Sequence, residues 1–358
     1  MTTSVAQQIS RLCGQLIVGG YVGEEPTSTF LTAIRHGELA GAILFKRNLP
    51  SWRAGYHASR TIAEATTDGV SPIMAIDQEG GRVQRLGSPT LQLPAMRRFA
   101  ACDAPLVSEV ARTLGTQLLQ LGFNVNFAPV LDVDTNPANP VIGDRSFSHD
   151  PKVVARLGVA FLLGLQSGGV AACGKHFPGH GDTTVDSHVG LPIVDATTQR
   201  WQDTELVPFQ AAIDAGIDSL MSAHIVVTCV DQNRPATLQS AILTGWLRER
   251  MGFDGVVFSD DLEMGAITTQ YGVGHAAVEA VRAGCDVLLI CRREDRQAEA
   301  HEALVHEAET CTPFRIQCER AAARCRALRE RRPLRPAANP NAVRWDVSDD
   351  LLRRLAAL

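Results

Sequence analysis

Eight short apolar segments rich in Val, Ile or Leu recur along the chain. They comprise residues 15–20, 41–45, 72–77, 125–132, 170–177, 219–225, 255–260 and 286–291. Between several of them lie stretches with the periodicity of amphipathic helices, at 105–121, 151–167, 203–215 and 238–250. Short buried strands that alternate with such helices predict parallel βαβ units.

Eight units of this kind fit a closed TIM (β/α)8 barrel, which is an α/β fold. A doubly wound open sheet is the alternative, but it usually has fewer strands and a glycine fingerprint after the first strand, which GGYVGEE at 19–25 lacks. Gly37, Gly216 and Gly284 stand just before strands, where a glycine would end a helix. We therefore predict a barrel rather than an open sheet.

The chain beyond the eighth strand is predicted to be helical, with one long segment near 294–329 and a last short helix in DVSDDLLRRLAAL. We predict a single barrel domain over residues 1–308 and a C-terminal helical extension over 309–358 that packs on or trails the barrel. The basic segment 328–335 is interpreted as a solvated turn, the usual state of a short charged run.

Polar residues stand at the ends of five predicted strands, where TIM-barrel enzymes carry their catalytic groups. They are Asp77, Asp132, Lys175, His176, His224, Asp260 and Asp261. Adjacent extended residues point to opposite sides, so we expect only one of Asp260 and Asp261 to face the barrel mouth. We also expect a tight turn at Gly80 and Gly81 to carry Glu79 away from it.

Composition narrows the function classes. Hydrophobic residues make up 45% of the 358 positions and the net charge is −5, which disfavours a general binder of nucleic-acid phosphates. Nine cysteines without a CxxC pair disfavour a disulfide framework, and Cys311, Cys318 and Cys325, spaced seven residues apart, predict one buried helix face. The N-terminus resembles neither a signal peptide nor a membrane span. We expect a cytoplasmic monomer with no nucleic-acid or membrane partner.

The segment KHFPGHGDTTVDSH at 175–188 is dense in ionisable residues and permits three interpretations. It forms a metal site, a hydrogen-bonded loop without chemistry, or an acid–base dyad of Asp186 and His188. The metal interpretation uses His176, His180, Asp182, Asp186 and His188. Metal-dependent barrels normally add ligands from the first strand, where QLIVGG has none, so we expect no metal and no cofactor. In the dyad, a carboxylate on one ring nitrogen leaves the other free for proton transfer.

Four segments together carry a family resemblance: DQEGGRVQR, FAPVLDV, GKHFPGHG with DSH, and GFDGVVFSDDLEMGA. They resemble glycoside hydrolase family 3, and within it the single-domain bacterial β-N-acetylglucosaminidases of the NagZ type. The resemblance implies a retaining β-N-acetylhexosaminidase that hydrolyses terminal non-reducing β-linked N-acetylglucosamine through a covalent glycosyl-aspartate. It also implies a saccharide or muropeptide substrate and a role in peptidoglycan recycling.

The resemblance assigns roles residue by residue. It implies that Asp260, directly after Ser259, is the nucleophile, that His188 is the acid/base and that Asp186 is the partner of His188. It implies that the N-acetylglucosamine ring is held by Asp77, Arg85, Arg145, Lys175 and His176.

Two related activities stay open at this point. A β-N-acetylglucosaminide phosphorylase is one, because a neutral histidine does not repel an incoming phosphate as a carboxylate would. A β-glucosidase of the same family is the other. A sugar-binding module without activity is disfavoured by the intact set of Asp260, His188 and Asp186.

Overall fold

The computed structural model describes residues 4–185 and 190–358. Its strands are β1 (Ile17–Gly19), β2 (Gly41–Leu44), β3 (Ile73–Ile76), β4 (Val125–Asn126), β5 (Ala171–Phe177), β6 (Ile193–Val194), β7 (Ser219–Ser222), β8 (Val226–Val227), β9 (Val256–Asp261) and β10 (Val287–Ile290).

The helices in this part of the chain are α1 (Val5–Gly14), α2 (Ser28–His36), α3 (Trp52–Ala65), α4 (Ala104–Gln120), α5 (Pro151–Ser167), α6 (Thr198–Asp203), α7 (Val207–Asp214), α8 (Gly265–Thr268), α9 (Val273–Ala283), α10 (Glu294–Thr310), α11 (Thr312–Arg331) and α12 (Asp349–Ala356). A wider helical segment of the π type covers Ala241–Arg250. None of the helices described here is long and apolar enough to cross a lipid bilayer.

Eight strands close a barrel in the order β1, β2, β3, β4, β5, β7, β9, β10, and β10 pairs with β1 again. Every neighbouring pair is parallel; Ile43 pairs with Ala75, for example, and Ile17 with Leu288. Each predicted apolar segment supplies one barrel strand, so the predicted TIM barrel is confirmed. The short strands β6 and β8 form a separate parallel pair, which the sequence pattern did not predict.

Helix ends follow the local chemistry of the chain. Gly37 ends α2 with a φ of 76° and Gly284 ends α9 with a φ of 126°, as predicted, because glycine adopts positive φ without strain. The single long helix predicted near 294–329 is instead two helices, α10 and α11. Pro313 lacks the amide hydrogen that a continuing helix needs, but it fits the first turn of a new one.

The barrel interior is filled by apolar side chains, among them Val18, Ala75 and Phe127. Cys325 and Leu328 of α11 belong to the same buried cluster. Helix α11 therefore closes the end of the barrel at which the strands begin. The cysteine spacing predicted one buried helix face for Cys311, Cys318 and Cys325. Cys318 and Cys325 are fully buried on α11, but Cys311 precedes that helix and is only half-buried.

Two arginines of α11 and the following Arg332 meet three carboxylates from the segments just before β3, β7 and β10 at the same end of the barrel. We call this group the floor cluster; it consists of Asp68, Asp218, Asp286, Arg324, Arg329 and Arg332.

The floor cluster joins α11 to the chain just before several strands. The Arg329 side chain, 1% exposed, contacts Asp68 at 2.8 Å, and its Nε donates to the carbonyl oxygen of Ser71 at 2.7 Å. Nε of Arg332 contacts Asp218 at 2.8 Å. The interpretation of 328–335 as a solvated turn was therefore wrong. Carboxylates and carbonyl oxygens at the strand starts need hydrogen-bond donors, and this segment supplies them.

The last residues pack against the outer helices. The hydroxyl of Tyr56 donates to the carbonyl oxygen of Ala337 at 2.8 Å, and the rings of Trp52 and Trp345 meet edge to face at 5.1 Å. Leu351 of α12 is buried. The C-terminal extension therefore packs on the outside of the barrel.

Candidate active site

A pocket of about 220 Å³ opens at the end of the barrel at which the strands finish. This volume is below the roughly 300–1,000 Å³ of sites for drug-sized ligands, and it suits a single small ring. The polar residues that line the pocket are Asp77, Glu79, Arg85, Arg145, Lys175, His176, His180, Asp260 and Asp261. The structure thus brings together every predicted site residue that it describes.

A second cavity, of about 320 Å³, lies outside the barrel between α2 and α10. Its ionisable groups are already engaged: Glu294 accepts from the Thr27 hydroxyl at 2.8 Å, and the His301 ring contacts the carbonyl oxygen of Ser10 at 2.9 Å. Chemistry is therefore better supported at the mouth.

A group of five interlocked charges, which we call the mouth cluster, forms one side of the pocket. It consists of Asp77, Glu79, Arg85, Arg145 and Lys175. Lys175 Nζ lies 2.7 Å from Asp77 and 2.6 Å from Glu79, and Arg85 contacts the other oxygen of Asp77 at 3.0 Å. Both oxygens of Glu79 accept from Arg145, at 2.8 and 2.9 Å. The cluster is thereby held rigid without a ligand.

Glu79 lies inside the pocket, so the prediction that a turn carries it away was wrong. The turn begins one residue later, because Gly80 and Gly81 have positive φ and the amide of Gly80 donates to the carbonyl oxygen of Val83. Asp77 and Glu79 are two residues apart in extended chain, and such side chains share a face. That spacing was the signal in the sequence that could have found Glu79.

Four members of the mouth cluster, Asp77, Glu79, Arg145 and Lys175, stay charged. Burial alone would neutralise these groups, but the opposite charges outweigh it. The pKa values of Asp77 and Glu79 therefore lie below their ordinary range, and those of Lys175 and Arg145 lie above theirs. The pocket consequently offers fixed acceptors and donors to a polyhydroxylated ligand.

Asp132 orients the two histidines of the pocket. Its carboxylate accepts from the ring Nδ1 of His176 at 2.7 Å and from the backbone amide of His180 at 2.7 Å. The His176 Nε2 then faces an Arg145 nitrogen at 3.4 Å. Burial, followed by the neighbouring His176, lowers the pKa of His180 to about 4, so this ring is neutral near pH 7. Sequence reasoning singled out Asp132 by position but gave it no role.

Asp260 and Asp261 both line the pocket, which contradicts the expectation that only one of them could. The cause is a β-bulge in β9: Phe258 pairs with Val287, but Asp261, rather than Asp260, pairs with Leu289. One extra residue on β9 breaks the alternation of side chains. The Ser259 hydroxyl accepts from the amide of Leu289 at 3.0 Å and so satisfies a donor that the bulge displaces.

The two adjacent carboxyls differ in charge. Burial acts to raise the pKa of Asp260, but the nearby His224 and His176 outweigh it, and the pKa lies below its ordinary value. For Asp261, burial is the largest influence and the charges of Glu263 and Asp260 act in the same direction, so its pKa is raised to about 7. Asp260 is therefore the fully ionised member of the pair at neutral pH. Its Oδ1 accepts from the amide of Asp261 at 2.8 Å.

The predicted dyad of Asp186 and His188 lies outside the described residues. The chain that leads toward it is firmly anchored as far as Thr183. The Asn139 amide donates to the carbonyl oxygens of His180 and Gly181 at 2.8 and 3.0 Å, and Arg200 contacts the Asp182 carboxylate at 2.6 Å.

The described members of the metal interpretation have other partners. His176 contacts Asp132, the His180 ring contacts the Thr183 hydroxyl at 2.7 Å, and Asp182 contacts Arg200. Within residues 4–185 and 190–358, no group of three or more His, Cys, Asp or Glu side chains is arranged to hold a metal ion.

Known proteins are similar to this chain in both sequence and fold. The model of the glycosyl hydrolase family 3 N-terminal domain matches residues 9–324. A β-hexosaminidase of Methylobacillus flagellatus is 37% identical over 291 residues, which cover 78% of this chain and 80% of that protein.

Two solved structures are similar to this one. A glycoside hydrolase family 3 β-N-acetylglucosaminidase from Paenibacillus sp. has a TM-score of 0.93 at 39% identity, over 99% of this chain and 68% of that one. NagZ from Neisseria gonorrhoeae, solved in complex with N-trifluoroacetyl-D-glucosamine, has a TM-score of 0.71 at 32% identity, over 86% and 97% of the two chains.

Proposed function

Because this chain belongs to glycosyl hydrolase family 3, we propose that it removes terminal β-linked N-acetylglucosamine with Asp260 as the nucleophile. Its relatives are β-hexosaminidases and β-N-acetylglucosaminidases, and the enzyme is a glycoside hydrolase of the β-N-acetylhexosaminidase class. The configuration at the anomeric carbon is retained, since a covalent glycosyl-aspartate forms and is then hydrolysed.

One observation carries the proposal: an ionised carboxylate shares a pocket the size of one sugar ring with a rigid cluster of acceptors and donors. Sugar hydroxyls both donate and accept, so the ion pairs of Asp77 with Lys175 and Arg85 suit two neighbouring hydroxyls. His176 and Arg145 complete the ring contacts. A ring held there presents its anomeric carbon to Asp260.

The proton transfers require a second group. We assign them to His188, with Asp186 accepting from its ring, on the strength of the DSH motif. His188 protonates the departing sugar oxygen in the first step and activates water in the second. Two other ionisable residues of the same loop, His180 and Asp182, are less suited. His180 has a pKa of about 4, and Asp182 contacts Arg200.

A panel of 4-nitrophenyl β-glycosides tests the substrate assignment. We expect kcat/KM for the N-acetylglucosaminide to exceed that for the glucoside at least about tenfold, as one or more additional hydrogen bonds at C2 would produce. Equal values for the two substrates would overturn the assignment.

Leaving groups of different acidity test His188. A general acid matters most for a poor leaving group, so His188→Ala should lose about 10²- to 10⁴-fold on a disaccharide and much less on a 4-nitrophenyl glycoside. With the aryl substrate, the glycosyl-enzyme should accumulate and give a pre-steady-state burst. An equal loss on both substrates without a burst would exclude His188 as the acid/base.

The physiological substrate that we propose is a cytoplasmic muropeptide in which N-acetylglucosamine is linked to anhydro-muramic acid. The four sequence motifs support this choice, because they resemble the single-domain bacterial β-N-acetylglucosaminidases of the NagZ type. Competition between a purified muropeptide and chitobiose tests it. Preferential release of N-acetylglucosamine from the muropeptide is expected, and a preference for chitobiose would contradict a role in peptidoglycan recycling.

A further inference from the structure

Asp261 lines the pocket beside the proposed nucleophile, yet the mechanism above gives it no task. One carboxylate oxygen, Oδ1, accepts from the backbone amides of Glu263 at 3.0 Å and Cys291 at 3.2 Å. The described part of the chain gives Oδ2 no hydrogen-bond partner. The carboxyl is thus fixed by one oxygen, and the other remains for a ligand.

The backbone is arranged to keep Asp261 in this position. The bulge in β9 turns Asp261 toward the pocket together with Asp260. The ring Nε2 of His224 lies 2.9 Å from the carbonyl oxygen of Asp261 and holds the peptide beyond the bulge. An accidental surface carboxylate would not need this support.

Apolar side chains line the pocket beside Asp261, and the Arg47 guanidinium, which interacts electrostatically with Asp261, donates to the carbonyl oxygen of Cys291. Met264 follows it on the same loop, Leu289 belongs to the neighbouring strand β10, and Cys291 directly follows that strand. The side chains of Lys175 and His176 belong to β5, which is separated from β9 by β7. The pocket therefore combines one carboxylate oxygen with an apolar surface next to Asp260.

We infer that Asp261 selects sugars that carry an acetamido group at C2. This inference rests on the proposed function. Asp260 attacks C1, and C2 is bonded directly to C1, so the substituent at C2 lies next to the residues that flank Asp260. Oδ2 of Asp261 accepts from the acetamido N–H, and the acetyl methyl packs on Met264, Leu289 and Cys291.

The substitution Asp261→Asn separates this role from others. An asparagine side chain keeps the shape and one oxygen for the two backbone amides, but it presents an NH₂ group where Oδ2 was. The asparagine NH₂ group and the acetamido N–H of the substrate both donate, so they cannot form a hydrogen bond with each other. The 2-hydroxyl of a glucoside can still accept from the asparagine. Specificity should therefore fall while activity on the glucoside persists.

The measurement is kcat/KM on three 4-nitrophenyl substrates that differ only at C2: the N-acetylglucosaminide, the 2-O-acetyl glucoside and the glucoside. In the wild type, the amide should be preferred over the ester, which lacks the N–H. The assay is run at about pH 8, where the Asp261 carboxyl of the wild type is mostly ionised. In Asp261→Asn, the ratio of amide to glucoside should then fall about 10- to 100-fold, the effect of one hydrogen bond to a charged group. Each ratio is taken within one protein preparation, so a partly folded variant does not distort it.

Glu263→Gln is the matched control. Glu263 lies on the same turn as Asp261 but outside the pocket lining, and its carboxylate accepts from the backbone amides of Arg292 and Arg293 beyond β10. The three-substrate ratios should stay at wild-type values in this variant. An unchanged ratio in Asp261→Asn, or an equal loss on all three substrates, would overturn the inference. A wild type that cleaves the glucoside as well as the amide would overturn the proposed function instead.

Discussion

Buried arginines and carboxylates lie at both ends of the barrel. In the floor cluster, Arg329 donates to the carbonyl oxygens of Ser71 and Val70 and to Asp68. The chain itself fills the space around these charges. In the mouth cluster, the charges pair with one another around an open pocket, and Nε of Arg85 is buried without a partner among the described residues.

The contrast teaches how to interpret buried charge. Sequence-distant ion pairs form at both ends, so a buried ion pair alone does not mark an active site. What distinguishes the mouth is its position at the C-terminal ends of the strands, together with polar atoms that face a cavity. The account therefore predicts that floor variants lose stability and that mouth variants lose activity.

The largest expected difference concerns two carboxylates near opposite ends of neighbouring strands. Asp260→Ala should lower kcat at least about 10⁴-fold, as the loss of a nucleophile does, with little change in the melting temperature. Asp286→Ala should lower the melting temperature and leave kcat per folded molecule nearly unchanged. The reason is that Asp286 accepts from Arg248 at 2.5 Å and from the amide of Val257 at 2.8 Å. Steady-state kinetics and thermal unfolding on both variants decide. Loss of activity per folded molecule in Asp286→Ala would break the comparison.

The next effect is on stability at the floor. Arg329→Ala leaves Asp68 and two carbonyl oxygens without their buried donor, so the free energy of unfolding should fall by about 3–5 kcal/mol. Arg326→Ala, one turn earlier on α11, is the control. Arg326 pairs with Glu330 at the surface, and its loss should cost less than about 0.5 kcal/mol. Urea titration measures both, and similar values for the two variants would refute a structural role of the floor cluster.

Replacing a buried carboxyl near the mouth should instead raise the free energy of unfolding. Burial raises the pKa of Glu205 to about 7, and its Oε2 has no partner among the described residues. Between about pH 4.5 and 7 the folded protein holds a proton that the unfolded chain has lost, so this group destabilises the fold as pH rises. Glu205→Gln should therefore raise the free energy of unfolding by up to about 3 kcal/mol at pH 8 and leave it unchanged below pH 4. The same gain at both pH values would rule out titration of Glu205 as its cause.

A smaller effect is expected for ring binding. Asp77→Ala should reduce kcat/KM on every substrate tested. The loss should correspond to about 1–3 kcal/mol of transition-state binding free energy for each sugar hydroxyl left unpaired. The fold should tolerate it, because Lys175 keeps its contact with Glu79. Asp144→Ala removes an exposed partner of Arg82 and serves as the control with unchanged kinetics. Near-normal kcat/KM in Asp77→Ala would place Asp77 outside the ring contacts.

The sequence predicted the barrel because each strand carries its own apolar signal. The same signal located Asp77, Lys175 and Asp260 at strand ends. The floor cluster escaped prediction because the partners of Arg329 and Arg332, Asp68 and Asp218, are distant in sequence. The orientation of Asp261 escaped it for a related reason. A bulge is defined by pairing between two strands, and alternation within β9 alone gives the wrong face.

The central claim is that Asp260 forms a covalent bond to the sugar. The most direct measurement uses 5-fluoro-β-N-acetylglucosaminyl fluoride, which forms the glycosyl-enzyme quickly and releases it slowly, followed by peptide mass spectrometry. The account predicts one sugar per chain, attached to Asp260 in the wild type and still to Asp260 in Asp261→Asn. Attachment to Asp261, or a labelled Asp260→Ala variant, would contradict it.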